Sequence, residues 1–123
     1  MREELNKFAE EVYENAVIKG FNDDDVGRSL AENYGIWTAN IHGETSELWE
    51  AVRNGTLEQP CDKAPAMIAR GFDPLTNEEE ELADIIIRAL DTARARGIDI
   101  GRAVMVKHLY NKTREHKHGG KLA

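Results

Sequence analysis

The sequence predicts an all-α protein, an antiparallel four-helix bundle with a long loop between its second and third main helices. Three observations predict it. Apolar residues recur at three- and four-residue steps through four segments, glycines or capping side chains stand at the segment ends, and the two-residue alternation of a half-buried strand is absent. At 123 residues the chain reads as one domain, 1–123, within the usual size of a single core.

The first helix is expected from about Arg2 to Lys19, where Leu5, Phe8, Ala9, Val12, Ala16 and Val17 share one stripe and Gly20 follows as a stop. Asn22 to Asp25 offer caps for a second helix, expected from about Asp24 to Asn54 with a bend or interruption near Gly35. Gly35 and Gly43 inside it each cost about 1 kcal/mol relative to Ala, for which close packing would compensate. Residues 55–76 hold all three prolines, Pro60, Pro65 and Pro74, and little periodicity. They read as a long ordered loop with one helical turn around Ala66 to Arg70, and loops of such length are usually functional or disordered. Thr76 or Asn77 caps a third helix, Asn77 to Arg96, with acids in its first turn, Arg94 and Arg96 in its last, and Gly97 as its stop. The fourth runs from about Asp99 to Arg114 on Ile100, Val104, Val106 and Leu109, and residues 112–123 form a basic tail.

Composition narrows the function classes. The chain carries 23 Asp and Glu against 16 Lys and Arg, a formal net charge of -7. Lys107 to Lys121 contains five bases and one acid, a local +4 that leaves -11 for the rest. An acidic body argues against stable nucleic-acid binding, which calls for a broadly basic face. No apolar run approaches the roughly 20 residues of a membrane span. Met1 opens into a charged amphipathic pattern with no signal peptide, and the single Cys61 gives no intrachain disulfide, so a cytoplasmic location is expected.

The informative anomaly is charge inside apolar stripes. At about 100° per residue, Glu44 and Glu47 fall on the side of the second helix that carries Trp37, Ile41, Leu48 and Ala51, whereas Ser46, Glu50 and Arg53 fall opposite. On the third helix Asp84 is embedded in Leu82 to Ile87 and shares a face with Glu81 and Arg88. Buried carboxylates cost several kcal/mol or take up a proton, and four converging ones repel unless a cation lies among them. Oxygen donors without His or Cys favour magnesium, with manganese possible, over zinc. Two other readings stand beside this. Arg88 neutralises the acids as an internal salt bridge, or the bundle holds a carboxylate-bridged iron pair, although the Glu-x-x-His repeats of that pattern are absent.

The segments Ile41 to Arg53 and Glu80 to Asp91, with Glu44-x-x-Glu47 in one and Glu81-x-x-Asp84 in the other, resemble the MazG-like all-α nucleoside triphosphate pyrophosphohydrolases. The ending from Lys107 to Lys121 is similar to that of phage and bacterial members. The likeness covers roughly residues 30–121, and the 33 residues between the motifs exceed the spacing of compact members, with the excess in the proline-bearing loop. The resemblance implies magnesium-dependent hydrolysis of a nucleoside triphosphate, by expectation a dNTP, to the monophosphate and pyrophosphate for nucleotide pool control. It implies Glu44, Glu47, Glu81 and Asp84 as metal ligands, with Glu47 or Glu44 acting on the attacking water. Lys107, Asn111 and Arg114, spaced on one face of the fourth helix, are implied to meet the nucleotide, the other reading being a solvated basic helix end favoured by the dipole; Lys117, His118 and Lys121 are either weaker phosphate candidates or part of a mobile tail. Trp37 and Ile41 line either a base pocket or the plain core. A homodimer or dimer of dimers is expected, because four short helices leave an apolar face open. Two alternatives remain: a phosphoribosyl-ATP pyrophosphatase-like enzyme, or a non-catalytic metal-binding helical interaction module.

Overall fold

The computed structural model describes residues 1–114. Five α-helices are present there: α1 Arg2–Ile18, α2 Leu30–Asn54, α3 Ala64–Ala69, α4 Asn77–Ala95 and α5 Ile100–Lys112, with a 3-10 turn at Asp25–Gly27 between the first two. Among the described residues there is no strand, only an isolated antiparallel bridge between Pro60 and Thr76. None of these helices is long and apolar enough to cross a membrane. The all-α expectation therefore holds, and α3 stands where one helical turn was expected inside the loop, starting two residues earlier than Ala66.

The described residues divide into two compact units, one made of residues 1–19 and 90–114 and the other of residues 20–89. In the first, α1 packs against α5, and what it buries is small: Ala9 and Ala16 from α1, Ala93 from α4, and Gly101, with Leu90 the one larger side chain among them. Polar groups fix the register. Asn6 bridges by donating from Nδ2 to Asp99 Oδ1 at 2.8 Å and accepting from the Gly101 N–H on Oδ1 at 2.7 Å. Asp99 also caps α5 through the Arg102 N–H at 2.9 Å and pairs with the Arg2 guanidinium. The Asp99 carboxyl is held far below the ordinary carboxylate range, chiefly by the Arg2 hydrogen bond and then by Asn6 and the Arg102 N–H.

In the second unit, α2 starts later than Asp24. Asn22 to Asp25 are spent on a turn, and Ser29 caps the helix: its hydroxyl accepts from the Glu32 N–H at 3.1 Å while Glu32 Oε1 accepts from the Ser29 N–H at 3.0 Å. This reciprocal Ser-x-x-Glu box satisfies two otherwise orphaned donors, whereas Asn22 and Asp25 upstream bond to each other and Asp25 to Arg28. The helix then runs through Gly35 unbroken, and neither Gly35 nor Gly43 has an atom within 4 Å of where a Cβ would stand. Close packing does not compensate these glycines; it falls on Gly101. Gly55, in the left-handed region at φ 68°, ends α2 with its N–H on Val52 O and the Thr56 N–H on Ala51 O.

The segment between α2 and α4 is ordered because its two ends are tied together. The first free N–H groups of α4 are used for this, Asn77 donating to Gln59 O at 2.9 Å and Glu78 to Leu57 O at 3.1 Å. Cys61 N–H donates to Leu75 O at 2.9 Å, and Asn77 Nδ2 to Thr56 O at 2.8 Å. Thr76 and Glu79 add a second reciprocal capping box at the start of α4, so Thr76 rather than Asn77 is the cap.

A methyl on Gly101 would lie 2.2 Å from the Arg2 carbonyl oxygen, a backbone atom that cannot rotate away. Gly101→Ala is expected to cost at least about 2 kcal/mol by overpacking, read as a fall of several degrees in the thermal midpoint. Gly35→Ala, in open space, is expected to stabilise by up to about 1 kcal/mol. Equal effects of the two changes would contradict this packing.

Candidate functional site

The site is built where α2 and α4 present acids to one another. Glu44 of α2 and Glu81 and Asp84 of α4 each place a carboxylate oxygen within 4.8 Å of the other two. The spacing of Glu81 and Asp84, one turn apart, puts both on one face, and the Ala51 and Leu48 positions that share the Glu44 side of α2 are buried or half-buried. All three acids are themselves half-buried. The opposite side behaves as the helical wheel requires, with His42, Ser46, Glu50 and Arg53 exposed.

One cation answers this charge directly. Arg88 Nη2 lies 3.3 Å from Glu44 Oε1, which realises part of the internal salt-bridge reading. It does not reach the rest. Glu81 Oε2 is buried with no hydrogen-bond donor, and the Glu81 carboxyl is pushed up to about 8, first by burial and then by the adjoining carboxyls of Glu44 and Glu47. Asp84 is raised as well, by burial and by the charges of Glu44 and Glu80, with Lys63 and Arg88 only partly offsetting them. Three oxygen donors from two helices, one of them lacking any donor, fit a hard divalent cation by chemistry and spacing.

Glu47 stands differently from the other three. It is exposed, outside the close triad, and its carboxyl meets Glu81. It borders an open cleft of about 480 Å³ that runs from Glu47 and Glu81 past Glu80 to Asn54, Asn77 and Lys63. Sequence reasoning missed Glu80 and Lys63. Glu80 is buried at 7% relative exposure and its Oε1 accepts from Lys63 Nζ at 2.9 Å. Burial raises the Glu80 carboxyl, but the Cys61 thiol and Lys63 together outweigh it and hold the group below its ordinary value. The Cys61 thiol is pushed up by the same carboxylate and by burial, the opposite of an activated nucleophile. Glu80 lay hidden because four consecutive acids, Glu78 to Glu81, read as one dipole-favoured first turn; its partner lies 17 residues away.

Trp37 and Ile41 are half-buried on α2, Trp37 meeting Tyr34 edge to face with centroids 5.1 Å apart, and neither borders the cleft. Lys107, Asn111 and Arg114 lie on or just beyond α5 in the unit of α1. Lys107 Nζ and the Arg114 guanidinium stand 5.3 and 5.9 Å from the Tyr110 ring centroid. Lys117, His118 and Lys121 lie outside the described residues.

No family model, curated protein or solved structure matches the chain.

The raised carboxyls set a pH dependence whose sign follows from linkage. Between the ordinary value and about 8 the folded protein keeps a proton on Glu81 that the unfolded chain releases, so stability falls as pH rises through that window. Metal-free protein is expected to melt at a lower temperature at pH 8.5 than at pH 6, and Glu81→Gln to flatten that slope. A slope of the same size in the variant would remove Glu81 as its source. Asp99 acts at the other end: with its carboxyl depressed, its contribution is present at neutral pH and lost in acid.

Proposed function

We propose that the protein is a magnesium-dependent nucleoside triphosphate pyrophosphohydrolase of the MazG-like kind, with manganese as a substitute metal and dNTPs as the first substrates to test. The observation that carries this reading is the triad of Glu44, Glu81 and Asp84 with the donorless, buried Glu81 oxygen beside an open cleft. A structural ion-pair cluster would be expected to match its acids with cations. Here Arg88 answers Glu44 and Lys63 answers Glu80, while Glu81 and Asp84 remain raised by neighbouring negative charge.

Glu44, Glu81 and Asp84 are assigned as the metal-holding residues. Glu47, exposed at the cleft and touching Glu81 through its carboxyl, is assigned to hold the attacking water and accept its proton, with Glu44 steadied by Arg88. Magnesium held by the triad supplies the offset to the triphosphate's charge and the acidification of a bound water. Glu81 must give up its proton before it can hold a cation, so metal affinity rises with pH toward 8. The roles of Lys107, Asn111 and Arg114 toward the nucleotide, and of Trp37 and Ile41 toward its base, are carried as part of the same proposal.

A homodimer or a dimer of dimers belongs to it too. No large side chain is fully buried among the described residues, and Trp49, Leu82 and Ile86, on the helices that carry the site, are 60%, 48% and 56% exposed. Apolar side chains left open in this number are of the kind that covers itself with another copy. The MazG-like four-helix arrangement, like a cytoplasmic location, is part of the same reading. The expectation of no stable nucleic-acid binding, which rests on the net charge of -7, belongs to the same reading.

Incubation with magnesium and a panel of dNTPs, NTPs and phosphoribosyl-ATP, with products resolved, tests the proposal. Pyrophosphate release is expected on at least one compound, falling about 100-fold or more in Glu47→Gln and in Asp84→Asn. Release from phosphoribosyl-ATP alone would move the assignment to that substrate. Metal binding without turnover of any compound would overturn the enzyme and leave a metal-binding interaction module. Sedimentation is expected to show a dimer or tetramer at micromolar concentration, and a fully active monomer would refute the assembly.

A further inference from the structure

The cleft beside the triad has one cationic side chain on its lining, Lys63, against the acids Glu47, Glu50, Asp62, Glu80 and Glu81. Such a wall repels a polyphosphate everywhere except at that ammonium. Lys63 reaches the site from the segment between α2 and α4, whose ends are tied through Gln59, Leu57 and Cys61 to the start of α4. The side chain is therefore delivered by a closed, hydrogen-bonded loop. Its ion pair is asymmetric: the Glu80 side chain is only 8% exposed, while that of Lys63 is 65% exposed and faces the cleft. An ammonium has three donors; Glu80 takes one at 2.9 Å, and no other hydrogen bond of the Lys63 ammonium is formed among the described residues, on a lining it shares with Glu81.

We infer that Lys63 contacts the phosphate chain of the substrate, with Glu80 as the positioning residue that anchors its ammonium at the cleft wall. The inference rests on the pyrophosphohydrolase reading and names a residue of that site. It gives the loop a chemical role, because the segment that lengthens the spacing between the two carboxylate motifs carries the cation that neither motif contains. It also explains why an acid as buried as Glu80 is kept so close to the triad. Glu80 stands outside the close triad, and at Asp84 the positive charge of Lys63 offsets part of the negative charge that Glu80 and Glu44 bring.

The test uses the full chain and two probes, manganese read by electron paramagnetic resonance and inorganic pyrophosphate with magnesium read by titration calorimetry. Because Lys63→Met alone leaves Glu80 buried without its cation, the paired variant K63M/E80Q is measured beside it, with Lys63→Arg as the charge-conserving control and circular dichroism to check folding. Pyrophosphate affinity is expected to fall about tenfold in K63M/E80Q, with manganese affinity changed less than about twofold, and to stay within about threefold in Lys63→Arg. In the steady state the loss should appear mainly in KM. Equal pyrophosphate affinity in wild type and K63M/E80Q would overturn the role of Lys63 and leave the pyrophosphohydrolase reading intact. Wild-type protein that binds neither manganese nor pyrophosphate would overturn both.

Discussion

Repulsion among carboxylates is the constraint on which the unit of residues 20–89 depends. Glu44, Glu81 and Asp84 converge to within 4.8 Å, and the ordinary devices for tolerating that are only partly used. Arg88 offsets Glu44, and Glu81 answers by keeping its proton to about pH 8. Hydrophobic side chains of similar size at these positions would pack α2 against α4 without the electrostatic cost. That a chain with so few buried apolar residues keeps the acids instead is the reason to look for a ligand there, since a structure maintains local disadvantage where chemistry requires it.

Around this constraint, order is supplied by hydrogen bonds more than by bulk. The buried residues are five alanines with Gly101, Cys61, Leu90, Asn33 and Glu80, and no large side chain is fully enclosed among the described residues. Register is set by discrete polar devices: the Asn6 bridge to Asp99 and Gly101, the two reciprocal capping boxes, and the backbone ties across the loop. The loop ties matter most for the site, because they use the free N–H groups of α4 and so fasten the loop to the helix that carries Glu80, Glu81 and Asp84. A tied loop holds Lys63 on Glu80 at little further entropic cost, since the loop is already ordered.

Much of this was legible in the residues. The all-helical class followed from three- and four-residue periodicity, and the stops at Gly20 and Gly97 from glycine's freedom at positive φ, which both adopt. The facing of Glu44, Glu81 and Asp84 was legible for a particular reason: an acid among apolar neighbours at helical spacing has no solvated place to go. The start of α2 was not, because Asp23 and Asp24 look like caps and only the complete Ser29 to Glu32 box outranks them. The close packing expected at Gly35 and Gly43 falls instead at Gly101, because the space around a glycine is set by a segment distant in sequence, here Arg2.

The sequence by itself determined the helices and which of their faces carry charge into apolar surroundings, because both are periodic properties of local chain geometry. Tertiary structure alone decided the pairings: Arg88 with Glu44, Lys63 with Glu80, Asn6 with Asp99, and the donorless oxygen of Glu81. Those partners are separated by 17 to 93 residues, and only loop closure brings them together. Whether a given acid is solvated, neutralised or left available to a cation is a property of that closure and of the burial it produces. No pattern along the chain encodes it.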